Sequence, residues 1–187
     1  IRNYMGHEGK AFPFPWIIRY NFIGNKRANS IRSYAPQGND FERMIFMSKI
    51  TVIGAGSVGA TIANDLMIQG IASEILLVDI NKQKAFGEAM DIYQGAPFCS
   101  PAIVRSGEYE DAADSDIVII TSGMPRKAGQ SRLELAQANV NILKDITPQI
   151  VKVAPNAIYI IVSNPVDVLT YVFHKISGLP ERQIIGS

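Results

Sequence analysis

From Lys49 onward, short unbroken apolar runs alternate with longer stretches in which apolar and polar residues are interleaved. Ile50-Thr51-Val52-Ile53 is a β-branched run that predicts a strand, and the spacing from Ser57 to Gln69 predicts a helix stopped by Gly70. Glu74 to Asp79 predicts a second strand, and Lys82 to Tyr93 a second helix. Ala102 to Arg105, Asp116 to Thr121 and Ala157 to Val162 predict three more strands, with a long helix from Ser131 to Val153 between the last two. Pro165 is expected in the first turn of another helix, running to about Ser177, because a missing N–H costs nothing there. Ile184-Ile185-Gly186-Ser187 predicts a further strand. Strands that are apolar throughout have both faces covered, and strands alternating with helices pair in parallel. The pattern therefore predicts the α/β class, as a doubly wound parallel sheet.

Residues 1–46 break this pattern. They hold nine of the sixteen aromatic residues and seven Lys/Arg against three Asp/Glu, which leaves 11 basic and 14 acidic residues in the remainder. Pro13, Pro15 and Pro36 interrupt any helix in this stretch, so it is expected to be poorly ordered. Its basic, aromatic character would suit a nucleic-acid contact or an organelle presequence. The simpler expectation is that Met47, directly before the first strand, is the natural start, and that residues 1–46 are in-frame translation from upstream.

Composition narrows the function classes. A net charge of +1, with 19% charged and 47% hydrophobic residues, gives no field suited to nucleic acid and no sign of disorder. Cys99 is the single cysteine, which excludes an internal disulfide and a thiolate zinc site and fits a cytoplasmic protein. No apolar run approaches the ~18 residues that span a bilayer, so membrane insertion is not expected.

The first chemistry lies directly after the first strand, where Gly54-Ala55-Gly56-Ser57-Val58-Gly59 has the spacing G-x-G-x-x-G. Alone, such a turn is only a tight strand-to-helix connection. Here Gly54 can make the turn, Gly56 can let the main chain approach a pyrophosphate, and Gly59 can let helix lie close on strand. The phosphates would meet the free N–H groups of the helix start. Asp79 ends the second strand 20 residues beyond Gly59. It is either a strand-end turn residue or a carboxylate that accepts bonds from a ribose and repels the extra phosphate of NADP. Coupled to the glycines, it makes NAD the expected cofactor.

Two later loops fall at the same sheet edge, where ligands bind. After the fourth strand, Arg126, Lys127 and Arg132 put three cations within seven residues flanked by Gly123 and Gly129. This is either a solvated basic turn or a mobile lid whose arginines close over an anionic substrate. After the fifth strand, Asn164 in Ser163-Asn164-Pro165-Val166-Asp167 forms an Asx turn or orients a substrate oxygen or the nicotinamide.

These four motifs, in this order and spread over Lys49 to Ser187, resemble the lactate/malate dehydrogenase family. The resemblance implies a Rossmann-type domain and hydride exchange between NAD and C2 of an L-2-hydroxy acid. It implies that Arg132 polarises the developing oxyanion as a catalytic and substrate-binding residue, that Arg126 reads the variable end of the substrate, and that Asn164 stands by substrate and nicotinamide, with a cis bond to Pro165. It sets Val58, Lys84, Gly123, Asn139 and Val162 along the NAD groove beside Gly54, Gly56, Gly59 and Asp79. Arg126 can pair bidentately with a second carboxylate, which favours malate and oxaloacetate, with lactate and pyruvate as the alternative. Leu133-Glu134-Leu135 resembles the lactate branch instead, and Ala128 replaces a proline common among relatives.

The family's proton exchange needs a histidine paired with an aspartate, plus an arginine that clamps the C1 carboxylate, all later in the chain. His7 and His174 are the only histidines, and neither has the surroundings of an acid/base. The expectation is a fragment: the NAD-binding half of an enzyme whose catalytic domain is missing, homo-oligomeric when complete. A non-catalytic NAD-binding module is the rival reading, but it has no use for two lid arginines. A short-chain dehydrogenase would share the glycine motif and place a Tyr-x-x-x-Lys pair at its site. The family's NAD-using glycosidase branch would need a metal cluster, and no metal site is expected.

Overall fold

The computed structural model describes residues 48–99, 101–125, 129 and 131–187. The expectations for residues 1–46 and for Arg126 lie outside these. Strands β1 (Lys49–Ile53), β2 (Glu74–Val78), β3 (Ile103–Ser106), β4 (Ile117–Ile120), β5 (Ile158–Ile161) and β6 (Ile184–Gly186) form one sheet. The order is β3-β2-β1-β4-β5-β6, and every pairing is parallel. Helices α1 (Ser57–Gln69), α2 (Lys82–Gln94), α3 (Arg132–Val153) and α4 (Val166–Ser177) complete the expected doubly wound α/β domain.

The unbroken apolar strands supply two cores because successive side chains point to opposite faces. Ile50, Val52, Ile75, Leu77 and Ile119 face Ala63 and Met67 of α1 and Ala85, Ala89 and Ile92 of α2. Their neighbours Ile53, Leu76, Val118, Ile120 and Tyr159 face Leu143, Ile146 and Ile150 of α3 and Leu169 and Phe173 of α4. Each fully buried Val, Leu or Ile side chain contributes ~1.5–3 kcal/mol by leaving water. A one-residue slip of any central strand would exchange its two faces. The chain switches faces between β3 and β4, so β1 and β4 lie side by side and their carboxyl ends diverge into a crevice.

Helix ends follow local chemistry. Gly70 caps α1 in the left-handed conformation (φ 64°), as Gly178 does for α4 (φ 65°). Ser131 is the N-cap of α3 rather than its first residue, and its hydroxyl accepts from the Glu134 N–H at 3.2 Å while the Glu134 carboxylate accepts from the Ser131 N–H at 2.9 Å. Pro165, expected inside the first turn of α4, instead stands at its N-cap with extended backbone (φ −78°, ψ 118°). The cis bond to Asn164 sits at this entry. Pro148 lies within α3 without ending it, since Ile146, Thr147 and Ile150 around it are buried against the sheet. Short 3-10 turns at Ala96–Phe98, Tyr109–Ala112 and Glu181–Gln183 carry no periodicity long enough to be read from sequence.

Candidate functional site

Four segments leave the carboxyl edge of the sheet around the β1/β4 crevice: the glycine turn after β1 and the residues following β2, β4 and β5. Gly54 has φ +105°, a conformation that side chains strain to adopt, and a Cβ there would lie 2.8 Å from the Ser122 nitrogen. At Gly59 a Cβ would stand only 1.9 Å from the Gly54 carbonyl oxygen, so no other residue fits without moving backbone. Gly56 differs: a Cβ there would meet nothing within 4 Å among the described residues. Its outer side is open to an approaching ligand.

The first helical bond of α1 runs from the Ala60 N–H to the Gly56 oxygen. This leaves the amides of Ser57, Val58 and Gly59 available, and α1 has neither a side-chain cap nor an acidic residue in its first turn. Together with the helix dipole these amides make an anion site beside the open face of Gly56. A dinucleotide pyrophosphate fits the residues present.

Asp79 is tied to this turn. One carboxylate oxygen accepts from the Ala55 N–H at 2.7 Å and the other from the Asn81 N–H at 2.8 Å, and each keeps a further lone pair for a ribose hydroxyl. Tyr109, which follows β3, lies close enough for the Asp79 charge to matter. Burial first, then the charges of Asp79 and Glu108, hold its phenol above the ordinary tyrosine range. Lys84 has an exposed side chain and reaches Asp79 only indirectly, its N–H donating to the Asn81 side chain at 3.1 Å.

After β4, the Thr121 hydroxyl donates to the Gly54 oxygen at 3.0 Å and fills the space a Gly59 side chain would need. Ser122 Oγ is buried without a partner among the described residues, beside Gly54. The buried Ser163 hydroxyl donates to the Ser122 oxygen at 2.7 Å and so joins the loop after β4 to the loop after β5. Val162 is half-buried against the α1/α2 core, whereas Val58 is half-exposed on the first turn of α1.

Asn139, in the second turn of α3, is only 3% exposed. Its Oδ1 accepts from the Met124 N–H at 2.8 Å, and its Nδ2 donates to the Asn164 carbonyl at 2.7 Å. Gly123 lies against the same amide, since a Cβ on it would come to 3.4 Å of both Nδ2 and Oδ1. Arg132 opens α3 with an exposed side chain, and the Asn164 side chain is exposed as well.

Gly54, Gly56, Gly59 and Asp79 thus form one group, and Gly123, Asn139 and Asn164 another, while Val162 packs on the α1/α2 side. Lys84 stands apart by its side chain. Sequence reasoning missed Tyr109, Thr121, Ser122 and Ser163. The rule that ligands bind at the carboxyl edge could have found all four, because each follows a strand, and the Ser131-x-x-Glu134 capping box was equally legible. A Tyr-x-x-x-Lys spacing also occurs, at Tyr171 and Lys175, but Lys175 lies over the Tyr171 ring at 5.5 Å, and Tyr171 lines the groove between α4 and β6. His174 occupies that groove too, 4.0 Å from Glu181. It stands eight residues past the start of α4, roughly 12 Å down the helix from the carboxyl edge. Among the described residues there is no group of three or more His, Cys, Asp or Glu that could hold a metal ion.

Comparison with known proteins points the same way. The family model described as lactate/malate dehydrogenase, NAD binding domain, matches residues 48–186. The chain is 56% identical over 140 residues to L-lactate dehydrogenase 1 of Clostridium acetobutylicum, covering 75% of this chain and 45% of that protein. Among solved structures it resembles a minor L-lactate dehydrogenase from Enterococcus mundtii, with TM-score 0.71, 37% identity, and coverage of 74% of this chain and 44% of that one. The malate dehydrogenase from Picrophilus torridus superposes with TM-score 0.69 at 35% identity, covering 74% and 45% respectively. The chain therefore spans a little under half the length of the relatives it matches.

Proposed function

Because this chain belongs to the lactate/malate dehydrogenase family and carries its NAD-binding domain, we propose that it serves hydride exchange between NAD and C2 of an L-2-hydroxy acid. The observation that carries the reading is the joint geometry at the ends of β1 and β2. An open Gly56 face and uncapped α1 amides suit a pyrophosphate, and the Asp79 carboxylate, fixed to the same turn through the Ala55 N–H, suits the adenosine ribose. The carboxylate disfavours a 2′-phosphate in that place, hence NAD over NADP. NAD, when bound, supplies the hydride acceptor, while the chain supplies position and charge.

In this reading Gly54, Gly56 and Gly59 shape the pyrophosphate cradle, and Val58, Gly123 and Val162 border the groove. Lys84 contributes through the turn that holds Asp79. Arg132 offers a cation to the substrate oxygen that gains charge, and Asn164 orients substrate or nicotinamide. His174 takes no part. A cytoplasmic homo-oligomer is the setting that the reading carries with it, and among the described residues no helix is long and apolar enough to cross a membrane.

Lactate and pyruvate are the favoured substrate pair. The sequence reading put malate first on the strength of Arg126, but relatives 56% identical are named L-lactate dehydrogenases, and Leu133-Glu134-Leu135 agrees with that branch. Malate remains the second reading, favoured by the Arg126 guanidinium and by the likeness to a malate dehydrogenase structure. Titration of the chain with NADH and NADPH tests the cofactor half: saturable binding of NADH and at least tenfold weaker binding of NADPH are expected, and equal affinity for both would defeat it. For the substrate half, the chain continued to the length of its relatives should turn over pyruvate faster than oxaloacetate. The opposite order would restore malate.

A further inference from the structure

We propose that Asn139 is a positioning residue that locks the loop after β4 to the loop after β5, so that the base of the arginine loop and Asn164 present a single surface to nicotinamide and substrate. The inference rests on the cofactor reading above for its consequence, but its geometry stands alone. The carboxamide is almost fully buried, and each of its ends is engaged by main chain: Oδ1 by the Met124 N–H and Nδ2 by the Asn164 carbonyl. Met124 begins the segment that leads to Arg132, and Asn164 precedes α4. One side chain from a third element, α3, therefore bridges two loops that share no sequence proximity.

An amide suits this task for a specific chemical reason. The bridge needs an acceptor toward one loop and a donor toward the other, which a carboxylate, an ammonium or an aliphatic group cannot supply together. A second bridge, from the Ser163 hydroxyl to the Ser122 oxygen, ties the same two loops closer to the sheet. With Ser163 at the base and Asn139 above it, the two loops are held at two points, which restricts them to moving together. Held in this way, Asn139 acts on the ligand through Met124 and Asn164.

The test uses Asn139→Ala, which removes both bonds, and Asn139→Asp, which keeps the acceptor for Met124 but cannot donate to Asn164. Three readouts are compared on the full chain: NADH binding, binding of AMP, which engages only the Asp79 half, and hydrogen exchange of the Met124 amide without ligand. Asn139→Ala should speed Met124 exchange at least tenfold and Asn139→Asp should leave it slow, while both variants weaken NADH about tenfold and leave AMP unchanged. If AMP weakens in step with NADH, Asn139 is a general support of the fold and the proposal fails. Unchanged NADH binding, or unchanged Met124 exchange in Asn139→Ala, also overturns it. Should the unsubstituted chain bind neither nucleotide, the cofactor reading falls, and Met124 exchange still decides whether the bridge exists.

Discussion

Gly59 and Gly56 occupy the same short turn for opposite reasons. Gly59 is excluded from bearing a side chain by the Gly54 carbonyl, 1.9 Å from where a Cβ would stand, whereas Gly56 faces open space. Gly59→Ala should therefore destabilise the domain by about 1–3 kcal/mol through forced backbone movement, seen as a lower denaturant midpoint. Gly56→Ala should leave that midpoint nearly unchanged while weakening NADH. Equal loss of stability in both would contradict the assignment. Asp79 holds the turn and, on the proposed function, accepts bonds from the ribose, so Asp79→Ala should weaken both AMP and NADH by about tenfold to a hundredfold. It should also narrow the preference over NADPH. Titrations that return unchanged NADH affinity would remove Asp79 from the site. Both glycine positions, their different tasks and Asp79 were legible in the sequence from spacing alone, but the groups a Gly59 side chain would meet, the Gly54 carbonyl and the Thr121 hydroxyl, were not, because Thr121 comes from a distant strand.

At the level of elements, the entry to α3 governs the segment that carries Arg132. The Ser131–Glu134 capping box satisfies two main-chain donors at the point where the arginine loop becomes helix. Ser131→Ala should cost about 1 kcal/mol, with increased hydrogen exchange confined to the first turn of α3. Hydrogen bonds to the Ser131 backbone and side chain hold the Glu134 carboxyl below its ordinary value of 4.5, and the Glu108 main chain, assisted by Arg105, holds Asp111 below 3.8. A depressed carboxyl stabilises the fold above its ordinary value and ceases to do so as pH falls through the lower, folded value. Thermal midpoints should thus be flat in these contributions down to about pH 4.5 and decline below it. Glu134→Gln, which cannot titrate, should show a shallower decline. An identical acid profile in that variant would dissociate Glu134 from the cap. The strands and helices themselves were legible to within a residue or so at most ends, because continuous apolar runs and Gly stops are strong local signals. Pro165 was misjudged by one position, since local sequence permits either the cap or the first turn and the packing of α4 selects between them.

For the whole molecule, two cores on opposite faces of one sheet leave the carboxyl edge as the place where loops from four strands converge. A ligand bound there contacts both halves of the sheet, around the β1/β4 boundary, and so stabilises them jointly. NADH at a hundred times its dissociation constant should raise stability by about 2.7 kcal/mol, visible as a single cooperative upward shift of the melting transition, with a smaller shift from the same concentration of NADPH. Two separate transitions, only one of them responding to NADH, would show that the halves do not communicate through the crevice.

The sequence by itself determined the class of fold, the glycine turn, Asp79 and the succession of loops at one sheet edge, because strand and helix periodicity and turn chemistry act over a few neighbouring residues. Only the tertiary structure decided which groups meet. Asn139 joins Met124 to Asn164 across 15 and 25 residues of chain, Thr121 reaches Gly54 across 67, and Ser163 reaches Ser122 across 41. Such bonds depend on strand order and on which face each helix covers, and these are properties of packing that no local window of residues contains.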